Sequence, residues 1–197
     1  MLADRLTSNN ERIDPRVRRT RGLLEQSFMD LVQEKGFQAL TVQDITERAG
    51  VNRATFYAHF PDKFALLDHC IQVGFAGEID KRMLNACHLT LDNLRNLIVA
   101  VCEYVRTVNS HCKPAQAQFE SLVETQVKAV THTLLLKWLE QVPLNVPPEM
   151  AATAASWAIY GLALQWTKAR QPEPVEQFAA RVLPLVAANL NLSMPAA

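Results

Sequence analysis

An all-α chain is what the sequence predicts, and three observations carry that prediction. Apolar residues recur every three or four positions along nearly all of the 197 residues, the period of one helical face. No stretch alternates apolar and polar residues at period two, as a half-buried strand does. Six glycines and 7% aromatic residues are few for a sandwich of short strands joined by turns. With 49% hydrophobic and 20% charged residues the chain is no disordered polyelectrolyte. Its length suits one or two domains with a real core, and about nine helices are expected.

The first helix is predicted over 16–35, with Leu24, Phe28, Leu31 and Val32 on one stripe and Gly36 as its stop. Thr41 opens the second as N-cap, with Asp44 at N3 in place of the usual Glu or Gln of a capping box. That helix buries Ile45 and Ala49 and stops at Gly50. Asn52 caps a short third helix, Arg53 to His59, which Phe60-Pro61 breaks. Asp62 caps a fourth, from Lys63 toward Met83.

Longer helices follow. Thr90 caps one carrying Leu94, Leu97, Ile98, Val101, Cys102 and Val105, and His111–Pro114 interrupts it. Residues 117–141 place Phe119, Leu122, Val123, Gln126, Val127, Val130, Leu134 and Trp138 on one face. Three prolines make 142–148 a loop, and Pro147-Pro148 start a helix that reaches about Arg170. The last spans about 174–190, with Pro184 expected to kink it against the carbonyl of Ala180.

The formal net charge is zero, so no global basicity points to a nucleic acid. The distribution is uneven. Residues 1–21 hold Arg5, Arg12, Arg16, Arg18, Arg19 and Arg21 against Asp4, Glu11 and Asp14, an excess that the rest of the chain balances. The N-terminus has no apolar signal region, and the four cysteines (70, 87, 102, 112) form no CxxC. Met150–Thr167 is uncharged, yet Thr153, Ser156, Gln165 and its alanines make it too polar for a membrane span. A cytoplasmic protein with reduced thiols and no membrane partner is expected.

Residues 41–59 combine two short helices with a tight turn at Gly50-Val51, a helix-turn-helix. Ile45, Ala49, Val51 and Phe56 are spaced to share a small core with the first helix. Arg53, Ala54, Thr55, Tyr57, Ala58 and His59 then face outward: a guanine reader, hydroxyls for phosphates, and small residues that allow close approach. Two short helices around a glycine also occur in proteins that never meet DNA, so spacing alone leaves both readings open.

The segment TVQDITERAGVNRATFYAHFPDKFALL resembles the signature of the TetR family of bacterial transcriptional repressors. The family pattern G-V-x-x-x-T-(aromatic or aliphatic)-Y-x-H-F-x-x-K is met by Gly50, Val51, Thr55, Phe56, Tyr57, His59, Phe60 and Lys63. The likeness covers about residues 16–68. It implies a basic arm (1–15), a helix-turn-helix DNA-binding domain (16–62), and a helical ligand-binding and dimerisation domain (63–197). Implied DNA contacts are Thr41 and Gln43 opening the second helix, Arg53 on base edges, Thr55, Tyr57 and His59 on the phosphate side, and Lys63 on a phosphate.

The resemblance further implies a homodimer on a palindromic double-stranded operator, released by a small-molecule effector. Expected dimer residues are Ala151, Ala154, Ala155, Ala158, Gly161 and Leu162, then Leu183, Val186 and Leu190 on the last helix. Expected effector-pocket residues are Phe75, Cys102, Phe119, Val123, Gln126, Trp157 and Tyr160, whose apolar character favours an apolar ligand. His69-Cys70, Cys87-His88 and His111-Cys112 leave an alternative, a redox- or metal-sensing regulator of the same fold, although adjacent helical residues diverge by about 100°. No G-x-S-x-G, H-E-x-x-H, G-x-G-x-x-G or phosphate-binding loop occurs, so neither an enzyme nor a cofactor is expected. A helical adaptor that has lost DNA binding is disfavoured by the retained Arg53, Tyr57, His59 and Lys63.

Overall fold

Five of the helices begin where a side chain takes up unpaired amide groups, and two begin at prolines without such a cap. The computed structural model describes residues 14–82, 88–111, 117–140 and 142–192. The described residues form α1 (Pro15–Lys35), α2 (Val42–Ala49), α3 (Arg53–His59), α4 (Lys63–Arg82), α5 (Leu91–His111), α6 (Ala117–Leu139), α7 (Pro148–Lys168) and α8 (Val175–Asn189). There is no strand among them. The described residues hold eight helices, and α6 runs unbroken for 23 residues.

Asp14 caps α1 by accepting from the Arg16 amide at 2.8 Å, with Pro15 in the first turn. Thr41 and Asp44 form the reciprocal capping box at α2. Asn52 Oδ1 accepts from the Thr55 amide at 2.7 Å, Asp62 Oδ1 from the Phe64 and Ala65 amides at 2.8 Å, and Thr90 Oγ1 from the Asn93 amide at 3.1 Å. Gly36 and Gly50 take φ of 79° and 67°, which side chains disfavour, and these are the stops of α1 and α2. Pro184 lies inside α8, which continues through it to Asn189.

Helices α1 to α3 enclose Leu24, Phe28, Ile45 and Phe56, all fully buried. Each large apolar side chain so enclosed contributes about 1.5–3 kcal/mol of transfer free energy. Beyond them α5 packs against α4, α7 and α8, and α6 packs against α4 and α7. The two regions meet at Phe37, in the turn after α1. Its ring lies 6.1 Å from Phe28, 5.2 Å from Phe64 on α4 and 6.1 Å from Phe119 on α6. No described helix is long and apolar enough to cross a membrane.

The basic arm assigned to 1–15 falls almost wholly outside the described residues, as do Arg5, Arg12, Cys87 and Cys112. Arg16, Arg18 and Arg19 are exposed at the start of α1.

Candidate nucleic-acid interface

The helix-turn-helix is built on one buried ring. Phe56 is fully buried, against Phe60 at 6.1 Å, and fixes which side of α3 faces inward. Between the helices, the Val51 amide donates to the Thr46 carbonyl at 3.0 Å, and Gly50 in the left-handed region turns the chain. Two ion pairs hold α2 on α1: Arg48 is bidentate on Glu34 at 2.9 and 2.7 Å, and Lys35 meets Asp44 at 2.7 Å. Both cations are thereby committed to the protein.

The outward side of α3 carries Arg53, Ala54, Tyr57 and Ala58. Tyr57 is 49% exposed and stands edge-on to Phe56, with ring centres 5.5 Å apart. Gln43 is exposed on α2, one amide hydrogen given to Glu47 at 2.8 Å and the other at liberty to point outward. These residues form one convex ridge of small, aromatic and guanidinium groups. Such a ridge suits a major groove.

Other expected contacts are held back by their own hydrogen bonds. Thr41 Oγ1 donates its single proton to Asp44 Oδ2 at 2.6 Å, and Thr55 Oγ1 donates to Asn52 Oδ1 at 2.9 Å. A phosphate oxygen only accepts, so either hydroxyl would have to give up that side-chain bond to serve it. His59 is half-buried. Burial, and then the Arg21 guanidinium, push its imidazole below the ordinary value and favour the uncharged ring.

Lys63 departs furthest from expectation. Its ammonium donates to the carbonyls of Phe37, Gln38 and Leu40 at 3.1, 3.3 and 2.7 Å, and lies 4.7 Å from the Phe37 ring centre. All three protons are spent inside the protein, and burial lowers the amine below its ordinary value. Asp62 already occupies the start of α4 with a carboxylate. The expected seat for a phosphate is filled.

The expected pocket residues do not converge. Phe75, Cys102, Val123 and Tyr160 are buried in the core, and burial with Glu124 and Glu120 nearby pushes the Tyr160 phenol up to about 12. Phe119 lines a cavity of about 70 Å3 between α1, α4, α5 and α6, whose thiol is Cys70 rather than Cys102. Gln126 accepts from Gln72 at 2.8 Å and borders a separate, more polar pocket of about 130 Å3. Trp157 points the other way. It is 63% exposed, beneath the Lys128 ammonium at 3.8 Å, because Ala152, Ala155 and Ile159 take the inward side of α7.

That outward side is the other open surface. Glu149, Met150, Thr153, Ala154 and Trp157 line a groove of about 510 Å3, and Leu185 on α8 is likewise exposed. Gly161 is exposed, with no atom within 4 Å of where a Cβ would stand. Of the expected dimer residues, Ala154 and Gly161 are exposed, and Ala158 and Leu162 half-buried. Ala151, Ala155, Leu183, Val186 and Leu190 are buried within the chain and unavailable to a partner. Met150 and Leu185 were missed, although Met150 and Trp157, seven residues apart, mark one helical face.

Cys70 and Cys102 are free thiols, each pushed up to about 12, mainly by burial. His69 is paired with Glu25 at 2.8 Å, and no group of three or more His, Cys, Asp or Glu that could hold a metal occurs among the described residues.

Residues 29–70, which contain the whole helix-turn-helix, match the family described as bacterial regulatory proteins, tetR family. That match covers about a fifth of the chain. It is 39% identical over 87 residues to an uncharacterized HTH-type transcriptional regulator, YxbF, of Bacillus subtilis (strain 168). That stretch is 44% of this chain and spans about a fifth (21%) of the relative. The TetR-family fold extends further. A TetR-family regulator from Streptomyces coelicolor A3 superposes with a TM-score of 0.64 at 18% identity, covering 92% of this chain and 99% of that one. The transcriptional regulator FadR of Bacillus subtilis, solved in complex with stearoyl-CoA, has a TM-score of 0.55 at 13% identity, covering 85% and 97%. At these identities the likeness is one of fold.

Proposed function

We propose that this chain is a ligand-responsive, DNA-binding transcriptional regulator: a homodimeric repressor that a small apolar effector releases from a palindromic operator. The observation that carries the reading is the ridge of α3, where Arg53, Ala54, Tyr57 and Ala58 face outward on a capped helix anchored by Phe56. Residues 16–62 serve as the reader, and residues 63–197 as the effector and dimerisation region. Arg53 reads a guanine through O6 and N7. Gln43 and Tyr57 supply further contacts, and Arg16, Arg18 and Arg19 neutralise phosphates. Thr41, Thr55 and Lys63 support the ridge instead, and the half-buried His59 joins it.

A reader of half-sites needs a two-fold partner. The open face of α7 and α8, with Met150, Trp157, Gly161 and Leu185, is where the second copy docks. For release, α4 is the connecting rod, since it starts beside the reader at Lys63 and runs to Arg82. The fold shared with a regulator solved with stearoyl-CoA supports an apolar effector. A hundredfold release requires about 2.7 kcal/mol of coupling, and operator DNA must weaken effector binding by the same factor.

Electrophoretic binding to a library of genomic promoter fragments tests the reading. Retention of a small set of fragments sharing a pseudo-palindrome is expected. Retention of none, or of all fragments equally, refutes it.

A further inference from the structure

We infer that Lys63 is a positioning residue for DNA recognition: it sets the angle at which α2 and α3 are presented and does not itself hold a phosphate. The inference rests on the DNA-binding reading above. Three carbonyl oxygens of one turn, from Phe37, Gln38 and Leu40, converge on the Lys63 ammonium from a segment 23 to 26 residues earlier in the chain. Carbonyl dipoles aimed at one point repel one another unless a cation sits there. An ammonium has three N–H donors and fills the set, whereas a neutral amine has two and leaves one oxygen unserved.

The turn so held is the hinge between α1 and α2. It ends at Leu40, and the next residue is Thr41, whose hydroxyl and amide form the capping box that starts α2. Lys63 itself is the first residue of α4. One ammonium therefore joins the origin of α2 to the origin of α4. The Phe37 ring beneath it is also where the reader touches Phe119 of α6. Asp62 meanwhile places a carboxylate at the start of α4, where a phosphate would be repelled. Geometry and charge both assign Lys63 inward.

The test compares Lys63→Met, which keeps the stem and removes the donors, with Lys63→Arg, which keeps the charge. A planar guanidinium cannot reproduce three protons converging on one turn. Affinity for a selected operator and for a random duplex is measured against salt, below the melting temperature of every variant as followed by circular dichroism. Both variants are expected to bind the operator at least tenfold more weakly than wild type, with a smaller loss on random duplex. The slope of log affinity against log salt should match wild type in both. A phosphate contact gives another pattern: Lys63→Met flattens the slope by about 0.9 while Lys63→Arg restores affinity and slope, and that overturns the inference. Full operator affinity in folded Lys63→Met overturns it too, since a residue that matters only for stability leaves binding intact.

Should the variants not fold, the wild-type ammonium is read directly by NMR in the DNA complex. Unchanged Lys63 ammonium resonances between free and bound protein support the inference, and a scalar coupling from Nζ to a backbone phosphorus overturns it. Failure of wild type to bind any duplex is distinguishable from these results. It removes the DNA-binding reading and the inference together.

Discussion

Trp157→Ala removes the largest side chain from the open face of α7. The ring is 63% exposed in the single chain. For a side chain of this size that leaves about 150 Å2 of apolar surface for a partner to cover. At ~25 cal/mol/Å2, covering it contributes at most about 4 kcal/mol per ring. Two-fold symmetry presents the ring from both copies, while ordering and desolvation costs offset part of the gain. A net loss of about 2–4 kcal/mol in dimer formation is expected, or roughly 30- to 1000-fold in the dissociation constant. Lys128 loses its ring partner but keeps Glu124 at 2.7 Å, so no charge is stranded. Because the ring is not part of the protomer core, far-ultraviolet circular dichroism should be unchanged. Sedimentation equilibrium from nanomolar to micromolar protein measures the constant. A value within threefold of wild type shows that a partner does not cover this face through Trp157, and refutes the placement of the second copy.

Arg53→Ala should cost about 1–3 kcal/mol on the preferred duplex and relax the preference at one base pair, read by competition against single-base variants; equal losses on specific and random duplexes make Arg53 a phosphate contact instead. The Lys35 ammonium, and then the hydroxyl and amide of Thr41, hold the Asp44 carboxyl well below the usual carboxylate range. Its stabilisation is therefore present above the unfolded-state value near ~4 and lost as pH falls through the lower folded-state value, so Asp44→Asn should flatten the acid limb of the melting temperature below about pH 4. An identical acid limb in wild type and variant contradicts that assignment. Cys70 and Cys102, both raised to about 12 by burial, should resist a thiol reagent at pH 8 in peptide-mapped labelling of the folded protein. Labelling of either at the rate of a free thiol shows that the packing around them is looser than described.

What the sequence revealed and what it hid divide by range. Caps and stops are local chemistry: Thr41 with Asp44, Asn52 ahead of Thr55, Asp62 ahead of Lys63, and the glycines at 36 and 50 all act within a few residues, and all were legible. The buried side of α3 followed from Phe56 in the same way. The direction of a long helix face was harder, because α7 is apolar on two sides. The sequence places Ala155 on a dimer surface and Trp157 in an effector pocket, yet Ala155 is buried within the chain and Trp157 is exposed. Spacing alone does not say which of two apolar stripes meets the chain's own core. Lys63 was illegible for another reason. Its partners are backbone carbonyls of a distant turn, and carbonyls leave no mark in the identity of the residues that carry them.

Two copies that present α3 to two half-sites on one face of the duplex depend on the spacing between those half-sites. Binding to a selected palindrome, and to the same palindrome with five base pairs inserted between its halves, tests that dependence most directly. Five base pairs turn one half-site by about half a helical turn and separate it by a further ~17 Å. Affinity for the lengthened duplex is expected to fall to that for random DNA. Equal affinity for the two duplexes would contradict that expectation.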